Sequence, residues 1–229
     1  EYKVGNEFRC IDIDLAYKIA EKLNMKLEII DMDFEAVITS VSQGQADIAL
    51  AGLTVNETRR QHVDFSDTYF KASQYLIVKK DDTRFDDCET AEEVIQKINE
   101  LGANAKFGFQ SGTTGQFFAE GDEDWGFDGF PNAAKVGYAN GATAVNDLTL
   151  RDTINIVVID EMPARSLVAA NSDKVKLIDI ALTEEEYAIA VNKNKTDLLQ
   201  KINDALKEII EDGILDEIIE KYYTEIEFD

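Results

Sequence analysis

The chain has 229 residues, 45% of them apolar, and its 46 acidic and 23 basic side chains give a formal net charge of −23. That length serves one large domain or two lobes with a core each, and the acidity argues against nucleic acid or an anionic membrane surface as partner, since both need a basic face. His62 is the sole histidine, and HExxH and GxxxxGK[ST] are both absent, so metal-assisted hydrolysis and phosphoryl transfer start without their usual residues.

The first nine residues are polar and read as a hairpin arm. Asp12 or a neighbour then caps a helix over 12–24, with Ile13, Ala16, Tyr17, Ile19, Ala20 and Leu23 as its apolar stripe. Residues 26–30 alternate as a strand does, 34–43 repeat as a helix, and Gly44 is placed to end it. The apolar run 47–51 predicts a buried strand that delivers the stretch GLTVNETRRQHVDFSD, residues 52–67. This alternation implies crossover connections and a largely parallel sheet.

Residues 66–80 form a β-rich run long enough to cross from one lobe to another. A helix over 90–101, a strand over 106–109, the turn QSGTTG and a helix ending near Gly121 follow. The acidic, glycine-rich segment GDEDWGFDGFPN reads as an irregular loop. Next come a strand at 135–138, a helix at 142–150, a buried strand at 154–159 and a helix at 161–170 that tolerates Pro163 in its first turn. A strand at 176–182, a second crossing at 187–191 and two helices, 196–212 and 214–223, split by Gly213, complete the chain. Two widely spaced crossings mean that one lobe is inserted in the other. The fold class is α/β, with lobe one over 1–72 and 188–229, lobe two over 74–185, and hinges near 72–73 and 186–188. Ligands favour the carboxyl ends of strands in such sheets, here within a hinged cleft.

Thr54 and Arg59 follow a strand end, where a hydroxyl, backbone groups and a guanidinium fork can converge on one carboxylate. Thr113 and Thr114 stand at a helix start, where free N–H groups and the dipole favour an anion, or where they simply cap a turn. Asp160 ends the strand IVVID and suits an ammonium group, or serves as a helix cap. Phe34 is a stacking platform or a core residue, and Arg59 taken alone could equally be a solvated helix arginine. Together, an arginine with helix-terminal N–H groups and a lone aspartate match the carboxylate and ammonium of an α-amino acid. The two cysteines, Cys10 and Cys88, have no CxxC spacing and read as unrelated thiols. Neither a membrane-length apolar run nor a signal-peptide pattern is present, which is uninformative for a mature form.

The order IDIDLAYKIAEKL, MDFEAVITSVSQGQADIALAGLTVNETRRQHVDFSDTYF, QSGTTG and VVIDEMPA resembles the polar amino-acid-binding proteins of bacterial ABC importers, solute-binding protein family 3, over roughly residues 9–222. The resemblance implies an extracellular, periplasmic or lipid-anchored binding protein without catalytic chemistry or cofactor. It would be a monomer that takes a polar amino acid between its lobes and presents it to a membrane permease. It implies that Gly52, Thr54 and Arg59 hold the ligand carboxylate with help from Thr113 and Thr114, that Asp160 receives the ammonium, and that Phe34 stacks on the ligand. Asp12 matches an aspartate that reaches the ligand side chain in basic amino-acid binders, and Gln110 and Ile159 match positions that tune side-chain recognition. A neutral amide at Gln110 beside Asp12 favours a polar neutral or basic amino acid, with glutamine or arginine first.

Three departures stand out. Cys10 and Ile11 replace a glycine and an aromatic, and Asn155 replaces an aspartate. The chain opens at Glu1-Tyr2, which resembles the end of the family's first segment, so the first strand of the family is expected to be missing from the sheet of lobe one. Two other functions fit the same lobes. One is a ligand-sensing domain of a membrane receptor or channel, and the other a dehydratase of cyclic carboxylic acids.

Overall fold

The computed structural model describes residues 2–4, 7–123 and 126–227. Glu1, Gly5, Asn6, Asp124, Trp125, Phe228 and Asp229 lie outside them, so part of the segment expected as an irregular loop at 121–132 does too. In chain order the first elements are β1 (Tyr2–Val4), β2 (Glu7–Arg9), α1 (Ile11–Lys22), α2 (Phe34–Ser42), β3 (Ile48–Ala49), α3 (Glu57–Arg60) and β4 (Asp64–Ala72). Then come β5 (Gln74–Lys79), α4 (Ala91–Leu101), β6 (Lys106–Gln110), α5 (Thr114–Glu120), β7 (Ala134–Tyr138), α6 (Gly141–Leu150), β8 (Ile156–Asp160), α7 (Glu161–Ala169) and β9 (Val175–Ile178). β10 (Glu185–Val191), α8 (Thr196–Glu211) and α9 (Ile214–Glu227) close the chain. It divides into two units, one of Glu1–Lys71 with Glu186–Phe228, the other of Ala72–Glu185.

In the first unit, β1 and β2 form an antiparallel hairpin, and a three-stranded sheet has the order β3-β10-β4 with β3 antiparallel to β10. Helix α1 is capped not by Asp12 but by Cys10, whose Sγ accepts from Ile13 N–H at 3.4 Å. Asp12 and Asp14 fill the first turn instead, where the helix dipole favours negative charge. On α8, Ile202, Ala205, Leu206 and Ile209 recur at helical spacing and are buried beside Leu15, Ile19, Ile189 and Val191. The strand expected at 26–30 does not form, and residues 25–33 carry neither helix nor strand. Leu27 and Ile29 are half-buried while Met25 and Ile30 are exposed, so the side-chain alternation is real. A strand also needs a neighbour's backbone, and the sheet of the first unit does not reach this segment.

The second unit is built on a five-stranded sheet of order β7-β6-β8-β5-β9. β6 runs parallel to β7 and β8, while β5 is antiparallel to both of its neighbours. The expected parallel sheet is therefore interrupted by β5, which enters directly as a crossing strand rather than through a helix. Leu76 and Val78 of β5 pack in one core with Phe107, Phe118 and Val158, and Tyr75 and Ile77 pack in the other with Leu148, Val157 and Ala164. Burial on both faces explains why β5 reads as a continuous apolar run. Thr90 and Glu93 form a reciprocal capping box that fixes the start of α4.

Candidate ligand site

After β3 the chain turns at Gly52, whose φ of +58° lies in the left-handed region. A Cβ there would also stand 3.3 Å from the ring of Tyr187. Residues 53–55 then run beside the start of β10. Val55 N–H donates to Glu186 O at 3.0 Å, and Leu53 O accepts from Ala188 N–H at 3.1 Å. Asn56 opens α3, and its side chain accepts from Arg59 N–H at 2.8 Å. Arg59 is only 6% exposed. Its Nη1 donates to the Thr54 carbonyl at 2.7 Å, and its guanidinium lies 5.7 Å from the centre of the Phe34 ring. One residue on, a helical step of about 100° turns Arg60 outward, where it is exposed and pairs with Glu57 at 3.6 Å.

Asp12 sits directly behind this turn. Its Oδ2 accepts from Gly52 N–H at 2.6 Å and its Oδ1 from the Tyr69 hydroxyl at 2.7 Å. Burial raises the Asp12 pKa above its ordinary value, and the hydrogen bonds from Tyr69 and Gly52 oppose that shift in part. Asp12, Gly52, Thr54, Arg59 and Phe34 are thus gathered in the first unit.

In the second unit, Gln110 ends β6 half-buried, and the Thr113 hydroxyl donates back to its carbonyl at 2.8 Å. Gly112 N–H donates to Gln116 Oε1 at 2.8 Å, which draws the turn onto α5. Thr113 and Asp160 both occupy N-cap positions, of α5 and α7, and neither makes a side-chain capping hydrogen bond. Neither side chain caps its helix, and the Thr113 hydroxyl closes the preceding turn instead, which is the turn alternative weighed for it. Asp160 Oδ1 instead accepts from Gln74 Nε2 at 2.9 Å. The same nitrogen lies 3.0 Å from Thr114 Oγ1 and 3.1 Å from Glu185 Oε1. Sequence reading passed over Gln74 and Glu185. Their one signal was an amide opening a buried apolar run, which the β-rich character of residues 66–80 masked.

The first unit thus offers a buried guanidinium fork, suited to a carboxylate, and the second a strand-end carboxylate in a hydrogen-bonded setting, suited to an ammonium. The pattern that defines the bacterial extracellular solute-binding proteins, family 3, matches residues 1–225. The chain belongs to that family. This solute-binding protein is 29% identical over 229 residues to the arginine-binding extracellular protein ArtP of Bacillus subtilis, covering 98% of this chain and 81% of the relative. Its fold matches the amino-acid ABC transporter substrate-binding protein AbpA of Streptococcus pneumoniae, bound to L-arginine, with a TM-score of 0.81 and 27% identity over 98% of this chain and 88% of that one. It also matches an ancestral arginine-binding protein bound to glutamine, with a TM-score of 0.77 and 34% identity over 93% of this chain and 87% of that one. These likenesses give it the two-lobe α/β fold of periplasmic amino-acid-binding proteins.

Proposed function

We propose that this protein is the extracellular substrate-binding component of an ABC importer and that it takes a polar, neutral or basic L-amino acid. Arg59 and Thr54 of the first unit would hold the α-carboxylate, assisted by Thr113 and Thr114, and Asp160 of the second unit would hold the α-ammonium. One ligand molecule would use both half-sites. The observation that carries this reading is a buried arginine fixed on the carbonyl of Thr54, in a chain of a solute-binding family. Asp12 has its two oxygens on Gly52 N–H and Tyr69 O–H, so we assign it to holding the turn rather than to touching the ligand side chain. Side-chain selection would then rest on Phe34 and Gln110. The site works by binding and release without turnover, as a monomer that hands its ligand to a membrane permease.

Because relatives are named for or bound to arginine and glutamine, those two amino acids stand first. A thermal-shift screen of the common L-amino acids tests the proposal, since a ligand that binds only the folded state raises the melting temperature. A shift with arginine, glutamine or another polar member is expected. No shift with any amino acid, or turnover of prephenate or arogenate by the purified protein, overturns it.

A further inference from the structure

We infer that Gln74 is a positioning residue of the ammonium half-site and that Glu185 is a second carboxylate of that half-site, standing behind Asp160. This rests on the reading of Asp160 just given. Gln74 opens β5, where the chain enters the second unit, and Glu185 is the last residue before the chain leaves it. The main chain fixes Gln74 on both sides. Its N–H donates to Thr183 Oγ1 at 2.9 Å, and its carbonyl accepts from Leu182 N–H at 2.9 Å. The register of β5 on β8 sets it opposite Asp160. Thr183 Oγ1 in turn donates to Glu185 Oε1 at 2.7 Å.

The amide faces its partners in one orientation only. Nε2 points at Asp160, Glu185 and Thr114, and flipping the group would press Oε1 against two carboxylates. The other end shows what that orientation costs, because Gln74 Oε1 is buried and has no hydrogen-bond partner among the described residues. An apolar side chain would fill this buried β position without leaving a carbonyl orphaned. The residue is therefore explained by its donors, not by packing. An amide nitrogen carries two hydrogens, three oxygens lie within 3.1 Å of it, and Glu185 Oε1 also takes the Thr183 hydroxyl. The oxygens of Asp160 and Glu185 cannot be farther apart than the sum of their distances to that nitrogen. Two carboxylates so close favour a cation beside them. Glu185 is only 5% exposed and Asp160 is half-buried, so Asp160 touches the ammonium while Glu185 acts through the field.

The test uses Gln74→Met, which keeps the volume and removes the donors, and Glu185→Gln, which keeps the shape and removes the charge. Calorimetry compares the best bound of the common L-amino acids, with L-arginine, L-glutamine and L-histidine tried first, with its 2-hydroxy analogue, in which a hydroxyl replaces the amine. The expectation is that both variants weaken the amino acid selectively, Gln74→Met by about tenfold or more, while the hydroxy analogue changes little. Equal losses for both compounds would mean a merely structural role and overturn the inference, as would no loss in either variant. If Gln74→Met does not fold, the amino-to-hydroxy ratio in Glu185→Gln decides. If the unmodified protein binds no common L-amino acid, or does not prefer the amine, the assignment of Asp160 falls first and this inference with it.

Discussion

Arg59 lies in the short helix that follows β3 and Asp160 ends β8, and the two are held by different means. Around Arg59 the main chain takes a direct part, with the Thr54 carbonyl on Nη1, residues 53–55 laddered beside β10 and a glycine turn before them, while the Asn56 side chain and the Phe34 ring stand beside it. Around Asp160 they are side chains, with Gln74 between the aspartate, Thr114 and Glu185. A cation placed by the main chain keeps its position when nearby side chains change, whereas a carboxylate placed by a side-chain network depends on each member. Losses in the first unit should therefore concentrate at one residue, and losses in the second should spread over several.

The largest effect tests the first half of that contrast. Arg59→Ala removes the buried guanidinium, and truncating one partner of a buried charge pair costs about 2–5 kcal/mol. Affinity for the best-bound amino acid should fall by about thirtyfold or more by calorimetry. Arg60→Ala, which removes an exposed arginine set against Glu57 and the Phe65 ring, should stay within about twofold. Equal losses in the two variants would show that the buried arginine is not the clamp.

A pair of glycines gives a middle-sized effect in each unit. Gly52→Ala meets the left-handed φ of +58° and the Tyr187 ring, and a non-glycine residue in that conformation costs about 1–2 kcal/mol. Gly115→Ala has no φ problem, but its Cβ would stand 2.9 Å from the Val158 carbonyl of the interior strand β8 and 3.1 Å from Gln74 Oε1. Alanine gains roughly 1 kcal/mol of helix propensity. A backbone carbonyl cannot easily yield, however, and overpacking costs about 1–3 kcal/mol, so the net sign should be destabilising. Both variants should melt lower in scanning calorimetry, and only Gly115→Ala should erode the preference for amine over hydroxyl. A Gly115→Ala variant that melts higher than the unmodified protein would show that β8 gives way.

Much of this was legible in the sequence, and what escaped shares a physical cause. The helices formed where the spacing placed them, because helix signals are local, although α1 takes Cys10 rather than Asp12 as its cap. Thr90 and Glu93 need only each other. Residues 26–30 carried the alternation of a strand without becoming one, since a ladder depends on a partner far away in sequence. Thr54 and Arg59 could be read together because they lie within one turn-and-helix stretch. Gln74 and Glu185 could not, as 111 residues separate them and only the sheet brings them together. Asp12 stood in a recognisable pattern, but its bonds to Gly52 and Tyr69 cross 40 and 57 residues, and no local spacing reveals them.

Asp12 is also a buried side chain on which the turn at Gly52 leans, and it offers the smallest and most specific test. Its pKa in the folded protein is raised, chiefly by burial, while a carboxyl in an unfolded chain titrates near its ordinary value of about 3.9. The folded form therefore holds the proton more tightly than the unfolded form does. That contribution to stability is fully present below the unfolded pKa and is lost as pH rises through the folded pKa. Asp12→Asn cannot titrate, yet its amide can still accept from Gly52 N–H and donate to the Tyr69 oxygen. The melting temperature of the variant relative to the unmodified protein should accordingly improve as pH is raised from about 4 towards neutrality. A constant offset across that range would mean that the Asp12 proton does not differ between the folded and unfolded chains, and that the turn at Gly52 holds the carboxylate as comfortably as water does.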